Sequence, residues 1–384
     1  MKLPVYLDYN GTTPHAPEVI EAIRPFLETA FGNPSSGHWY GIEPKKGIMA
    51  ARRQVAGLIG CSTAEVLFTS GGTESNNHAL KSIAGARYAG GTHIITSSIE
   101  HPAVIEVCRF MGGHGFTVTV LPVDQEGLVN ISDVAAAIRP DTIMISIMHA
   151  NNEVGTIQPI EAIAKLARKQ GILMHTDAAQ SMGKIPARVD ELGVDLLSAA
   201  GHKIYAPKGV GVLYIRDGIE PTAFCHGAGQ ENGRRAGTEN VLEIVGLGKA
   251  CEIAEQGLAD HAEHMKAMRD RLELGLAQTL KDIRFNGHRE KRLPNTCSVS
   301  FLELEANRIL EEIGLDVAAS AGAACHSDRV EISHVLKAMQ VPEPWAKGTL
   351  RFTTGRYTTA EEIDRTLDVV VSAVKRLRGS PFIR

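Results

Sequence analysis

Between residues 65 and 215, short runs rich in Ile, Val and Leu recur at 65–69, 93–97, 118–122, 142–148, 172–175, 196–199 and 211–215, most of them separated by longer stretches with helical periodicity. Continuous apolar runs of this length read as strands buried on both faces. Their alternation with helices predicts an α/β fold with a mainly parallel seven-stranded sheet covered on both sides. Ligands of such a sheet belong in the crevice at the carboxyl ends of its strands. Ser70, His101, Asn152, Asp177 and Lys203 all follow such runs, so the pattern makes them neighbours in space although they are far apart in the chain.

A chain of 384 residues exceeds one ordinary core, so two domains are expected. After Thr238 the pattern changes to a long helix carrying Leu242, Val245, Ala250 and Ile253, which runs into the charged stretch 255–271 and reads as a bridge. Beyond it come a strand at 296–301, a helix at 306–313, a cysteine-bearing loop, a strand at 348–353 and a last helix from 359 to 378. Thr359, Glu361 and Glu362 supply that helix with N-terminal chemistry. The expected division is a large domain ending at residue 254 and a smaller α+β domain of residues 255–384.

A net charge of −4 with pI near 6.4 gives no electrostatic claim on nucleic acid or anionic membrane. Asp8 and Asn10 interrupt the N-terminal apolar stretch before it reaches the length of a signal or a span, so a cytoplasmic location is expected. Cys61, Cys108, Cys225, Cys251, Cys297 and Cys325 stand singly, with no C-x-x-C and no histidines at zinc spacing. That pattern suits reduced thiols and no metal site.

The run A-G-H-K at 200–203 lies downstream of H-T-D-A-A-Q at 175–180. A lysine after one strand and an aspartate at the end of an earlier one is the arrangement that holds pyridoxal phosphate. The amine condenses with the cofactor aldehyde, and the carboxylate keeps the pyridine nitrogen protonated. Lys203 sits between an apolar strand and the turn at 204–211, where burial lowers an ammonium's pKa and frees the amine to attack. S-G-G-T-E-S-N-N at 70–77 can present backbone N–H groups and the Thr73 hydroxyl to a phosphate at a helix N-terminus. By itself this run reads rather as a Gly-rich turn with Thr73 as N-cap. A solitary histidine such as His101 is more often a cap or a core residue, and 151–153 reads equally as a side-chain turn. Cys325 follows the small residues 320–324, which offer no apolar bulk to bury a thiol. The other cysteines read as inert, with Cys225 beside His226 a second, weaker candidate.

With these motifs and G-A-A-C-H-S-D at 322–328, nearly the whole chain resembles the NifS/IscS-like cysteine desulfurases, fold-type I pyridoxal-phosphate enzymes of class V. The resemblance implies that residues 1–14 join the smaller domain, leaving 15–254 as the large one, that His101 stacks on the cofactor and handles protons, and that Asp177 pairs with the pyridinium. It places Gln180 and Asn152 near the cofactor's phenolic oxygen and the substrate. Gly72, Thr73 and His202 would hold the phosphate, Thr238 being added from the other subunit of a homodimer. Arg351 would clamp the substrate carboxylate, with Arg356 as the neighbouring alternative, and Asn33 and Asn295 would line the site. Cys325 becomes the nucleophile that takes sulfur from L-cysteine as a persulfide for a protein acceptor in iron–sulfur cluster or other sulfur-transfer pathways. One departure is Ala200, where many members have a phosphate-binding serine.

The same cysteine loop, the residue before G-H-K and R-L-P-N-T-C at 292–297 are similar to selenocysteine lyases, which release selenium from L-selenocysteine. More distant alternatives are a class V aminotransferase, which needs a keto acid but no mobile thiol, and a non-catalytic sulfur-assembly scaffold, which would bind no cofactor.

Overall fold

The computed structural model describes residues 3–85, 91–326 and 329–379, with residues 83–85, 323–326 and 329–331 described by backbone alone. The apolar runs become β1 (Val66–Thr69), β2 (His93–Ser97), β3 (Thr117–Leu121), β4 (Thr142–Ser146), β5 (Leu173–Asp177), β6 (Leu196–Ala200) and β7 (Gly211–Ile215). They form one seven-stranded sheet in the order β1-β7-β6-β5-β4-β2-β3. β7 alone is antiparallel to its neighbours. Residues 201–210 are too few for the helical crossover that a parallel return requires, so the chain turns straight back. The carboxyl ends of the six parallel strands therefore share one edge, and β7 contributes its amino end there.

Successive residues of these strands face different cores. Ile94, Met144, Leu196 and Leu213 pack in one buried cluster, whereas Ile95, Ile145, Leu197 and Val212 pack in another. That two-sided burial explains why the runs read as continuously apolar rather than alternating. Helices α1 (Trp39–Ile59), α2 (Gly72–Gly85) and α3 (Pro102–Gly112) cover the sheet, α1 contributing to the second cluster and α2 and α3 to the first.

The stretch after Thr238 folds as α4 (Val241–Thr279), a single 39-residue helix about 60 Å long. Its Ile244, Leu247 and Cys251 join the core beneath the large sheet, whereas Leu272 and Leu276 join a separate core. The division expected between 254 and 255 thus falls inside unbroken helix. Around the separate core lies an antiparallel sheet of β8 (Ile283–Asn286), β9 (Thr296–Phe301), β10 (Ser320–Ala321) and β11 (Thr349–Thr353), in the order β10-β11-β9-β8. Helices α5 (Ala306–Ile313) and α6 (Ala360–Gly379) complete it. At the start of α6, Thr359 N donates to Glu362 Oε2 at 2.9 Å and Glu362 N to Thr359 Oγ1 at 3.2 Å, the reciprocal cap that the sequence promised. Val5–Tyr6 pairs with Val317–Ala318, and residues 7–11 continue along β11 toward the edge of the large sheet.

The large sheet also buries polar groups. His175 on β5 is closed from solvent between Ser146 Oγ on β4 (2.8 Å) and Ser198 Oγ on β6 (3.0 Å). Burial holds its pKa at about 3, and that of the nearby buried His149 at about 4. Both are neutral in the fold, whereas an unfolded histidine titrates near 6.5. Their stabilisation is complete above that value and is lost as pH falls toward the folded pKa, about 2 kcal/mol per residue by pH ~5. His175→Asn is therefore expected to shrink the fall in unfolding free energy between about pH 7.5 and pH 5 by roughly 2 kcal/mol relative to the parent chain. Denaturant titrations at the two pH values measure this, and an unchanged fall would rule the assignment out.

Candidate active site

At the shared edge lies a cavity of about 330 Å³, lined from the ends of β1, β2, β4, β5 and β6, from the N-terminal segment and by Arg351 of β11. Of the residues nominated above, Gly72, Thr73, His101, Asn152, Asp177, Gln180, His202, Lys203 and Arg351 line it.

Lys203 stands in the turn after β6, half-buried, its Nζ donating to the carbonyls of Asn10 and Gly11, each at 2.7 Å. Burial lowers its pKa to about 8, helped by the Arg351 guanidinium and opposed by Asp8 and Asp177. Asp177 closes β5 with both carboxylate oxygens engaged: Oδ2 accepts from Asn76 Nδ2 (2.7 Å) and Oδ1 from Ala179 N (2.9 Å). Asn76 comes from α2, and its own Oδ1 is buried with no partner. The turn before α2 brings Gly72 so near β6 that a Cβ there would lie 3.3 Å from Ala200 Cβ. Gly72 and Thr73 of the first turn of α2 line the cavity, and the leading N–H groups of a helix have no intrahelical partners.

His101 caps α3: its Nδ1 accepts from Ala103 N at 3.1 Å. We assign the proton of the neutral ring to Nε2 on that ground. Burial lowers the ring's pKa, with Asp177 opposing and Lys203 and His334 reinforcing the shift. His202 is pushed down to about 4 by burial and then by Lys203 and Lys208. Its Nδ1 lies 3.2 Å from Thr12 Oγ1.

Arg351, on β11, is held through Nη1 by the carbonyl of Asn152 (2.9 Å) and through Nη2 by Asp8 Oδ1 (2.7 Å) and Ser320 Oγ (3.1 Å). Its Nε is buried without a partner. The site thus carries a nucleophilic amine, a fixed carboxylate, a neutral imidazole and a guanidinium able to bind a carboxylate.

Other nominated residues lie elsewhere. Thr238 is exposed in the segment 233–240, which Arg235 ties to the start of α2 through Glu74 (2.9 Å). Asn33 is exposed, its Oδ1 accepting from Ser35 N at 2.9 Å in a local turn. Arg356 stacks on Tyr205 and Tyr357, outside the cavity. Asn295 is fully buried behind the cavity and donates to Asn10 Oδ1 at 3.0 Å. Cys225 is half-buried and does not line the cavity. Cys325 is described by its backbone alone. That backbone is not a free loop but the strand Ala323–His326, paired antiparallel with Arg329–Ile332; Ser327 and Asp328 lie outside the described residues.

The N-terminal segment contributes more than its sequence suggested. Asn10, read at first only as a polar interruption, accepts at Oδ1 from Lys184 Nζ (2.8 Å) and from Asn295, and donates through Nδ2 to Thr296 Oγ1 (2.9 Å) and the carbonyl of Asn152 (3.2 Å). A side chain at position 11 would press on Asp8, its Cβ lying 2.2 Å from Asp8 Oδ2, and so disturb the partner of Arg351. The cluster Asp8-Tyr-Asn-Gly-Thr-Thr, small and polar directly after an apolar strand, is the signal that could have found these residues. Asn76 and Lys184 had no comparable one. Among the described residues no group of three or more His, Cys, Asp or Glu could hold a metal ion, and no helix is long and apolar enough to cross a membrane.

Residues 5–366 match the class-V aminotransferase family. Over 384 residues the chain is 50% identical to the cysteine desulfurase IscS of Dictyoglomus turgidum, covering 100% of this chain and 98% of that protein. It is 47% identical to the cysteine desulfurase IscS of Methanosarcina thermophila, covering 98% of this chain and 93% of that one. Among solved structures it is similar to a NifS-like protein (TM-score 0.92, 38% identity, 97% of this chain and 100% of that one). It is also similar to SspA in complex with cysteine (TM-score 0.80, 37% identity, 92% and 99%).

Proposed function

The chain belongs to the class-V aminotransferase family, among its IscS/NifS cysteine desulfurases, and from that premise we propose that it converts L-cysteine to L-alanine and passes the sulfur on from Cys325. The observation that carries the reading is the meeting of Lys203, Asp177 and Arg351 in one cavity.

The family's cofactor is pyridoxal phosphate, and the residues present fit it. Asn76 Oδ1, buried and unpartnered beside Asp177, has capacity for a donor, and the narrow approach of Gly72 to Ala200 leaves a backbone cradle at the start of α2. When bound, this cofactor supplies an aldehyde for an amine to join and a ring that accepts an electron pair from the substrate. Lys203 is the amine that holds it and then takes the substrate's α-proton. Asp177 keeps the ring nitrogen protonated, and Gln180 and Asn152 border the ring's polar edge. Gly72, Thr73 and His202 hold the phosphate, more heavily than where a serine replaces Ala200, with Thr238 supplied by a second copy of this chain.

Arg351 binds the substrate carboxylate and so fixes the β-carbon. Cys325 thiolate then attacks the substrate sulfur: the S–S bond forms, the C–S bond breaks, and its electron pair returns to the substrate carbon, which is protonated to give alanine. His101 gives its Nε2 proton to that carbon and then takes up the thiol proton at the same nitrogen. The resulting persulfide passes to a protein acceptor, and the cytoplasm, where thiols stay reduced, suits it. The selenocysteine reading is not favoured, since both named sequence relatives are cysteine desulfurases.

Supplying L-cysteine without any keto acid tests the reading. The expected result is equal release of alanine and transferable sulfur, one added sulfur on the peptide bearing Cys325, and, after borohydride reduction, a cofactor adduct on Lys203. Alanine formed only with a keto acid would indicate an aminotransferase instead, and no binding of pyridoxal phosphate would indicate a scaffold.

A further inference from the structure

Lys184 adjoins the cavity without lining it. It is buried behind the cavity, and its Nζ donates to Gln180 Oε1 and Asn10 Oδ1, each at 2.8 Å. Both acceptors are neutral amide oxygens. An ammonium is seldom buried without a carboxylate, and the charged groups acting on it, Lys203 and Arg351, are cations that reinforce the fall in its pKa caused by burial.

Both of its hydrogen bonds are donated, and as an ammonium it has no lone pair with which to accept from an amide nitrogen. A glutamine side chain can present either its oxygen or its nitrogen to a ligand, and the two orientations differ little in shape. Here the oxygen is occupied by Lys184, and Nε2 donates to the Asn10 carbonyl at 3.0 Å, the carbonyl that also accepts from Lys203. The amide therefore has one polar group left for the cavity it lines, its second N–H. Asn10 is fixed in the same sense, its oxygen taking Lys184 and Asn295 while its nitrogen donates to Thr296 and Asn152.

We propose that Lys184 is a positioning residue that locks the Gln180 amide with its N–H edge toward the cavity, so that the site offers a donor, not an acceptor, to an anionic oxygen of the cofactor. This rests on the reading that pyridoxal phosphate occupies the cavity. Without Lys184 the amide oxygen loses its donor and only the Asn10 carbonyl holds the orientation, so the flipped amide, with its oxygen toward that anion, becomes populated.

The test is a double-mutant cycle on cofactor affinity, with the full-length chain freed of cofactor and titrated with pyridoxal phosphate by visible absorbance. Lys184→Met, which keeps the length of the side chain, is expected to weaken binding about tenfold where Gln180 is present and less than about twofold in the Gln180→Ala background. Lys184→Gln, whose amide can donate to Gln180 but can also accept from it, should hold the orientation only in part, with a loss of about threefold where Gln180 is present and none in the Gln180→Ala background. Equal losses with and without Gln180, no loss in either background, or a Gln variant as weak as the Met variant would each overturn the inference. If Lys184→Met does not fold, the Gln variant is compared in the two backgrounds: a loss confined to the background with Gln180 supports the inference, and equal or absent losses overturn it. A parent chain that binds no pyridoxal phosphate would instead overturn the reading of the cavity.

Discussion

Lys203→Ala is expected to lower the turnover of L-cysteine by about 10⁴-fold or more, because one substitution removes both the amine that holds the cofactor and the base that moves the α-proton. The fold should survive it. The Nζ that is lost donates to two backbone carbonyls at the rim of a cavity, not to a buried carboxylate that would be left charged and alone. The informative companion measurement is the pH dependence of cofactor capture by the parent chain. The attacking species is the neutral amine, and with the pKa lowered to about 8, about a tenth of the molecules carry it at neutral pH. The capture rate should rise about tenfold per pH unit up to ~8 and then level off. A rate still rising steadily past pH ~10 would mean an ordinary exposed lysine, and an unchanged rate in Lys203→Ala would remove it from the chemistry.

Asp177→Asn is expected to cost about 10³-fold in kcat, the scale of breaking a buried charge pair, with KM for cysteine changed less than threefold. The substitution keeps the shape and removes the charge, so it isolates the carboxylate's electrostatic role. Its structural cost is limited by a feature of this site. Asn76 now donates to Asp177 Oδ2 and leaves its own oxygen without a partner. It can flip to accept from the new amide, while Ala179 N keeps its acceptor at Oδ1. A thermal midpoint within a few degrees of the parent, together with the loss of kcat, fits this account. Full activity in Asp177→Asn would exclude an ion pair to the cofactor ring.

The large sheet was legible because its strands are buried on both faces and so carry runs with no competing reading. The runs mark strand ends to within one or two residues. At β5 the apolar signal stops at His175, yet the strand continues to Asp177, because serines on the flanking strands satisfy the histidine and allow it inside. In the smaller sheet, Ile283–Asn286 and Ser320–Ala321 escaped the reading. The first is only half-buried along most of its length, and the second is two residues long and pairs at one edge. Neither length nor periodicity marks such strands.

The division between the two kinds of knowledge follows from the range of the forces involved. By itself the sequence determined the seven strands, their mainly parallel arrangement and the residues that follow their ends, because apolar periodicity and turn chemistry act over a few residues. Only the tertiary structure decided that Asp8 would sit on Arg351, that Asn10 would join Lys184 to Lys203, and that Asn76 would hold Asp177. Each of these contacts is a hydrogen bond of about 3 Å between segments more than a hundred residues apart in the chain. A directional interaction of such short range leaves no periodic mark in the chain, and it exists only once the sheet has brought the partners to one edge.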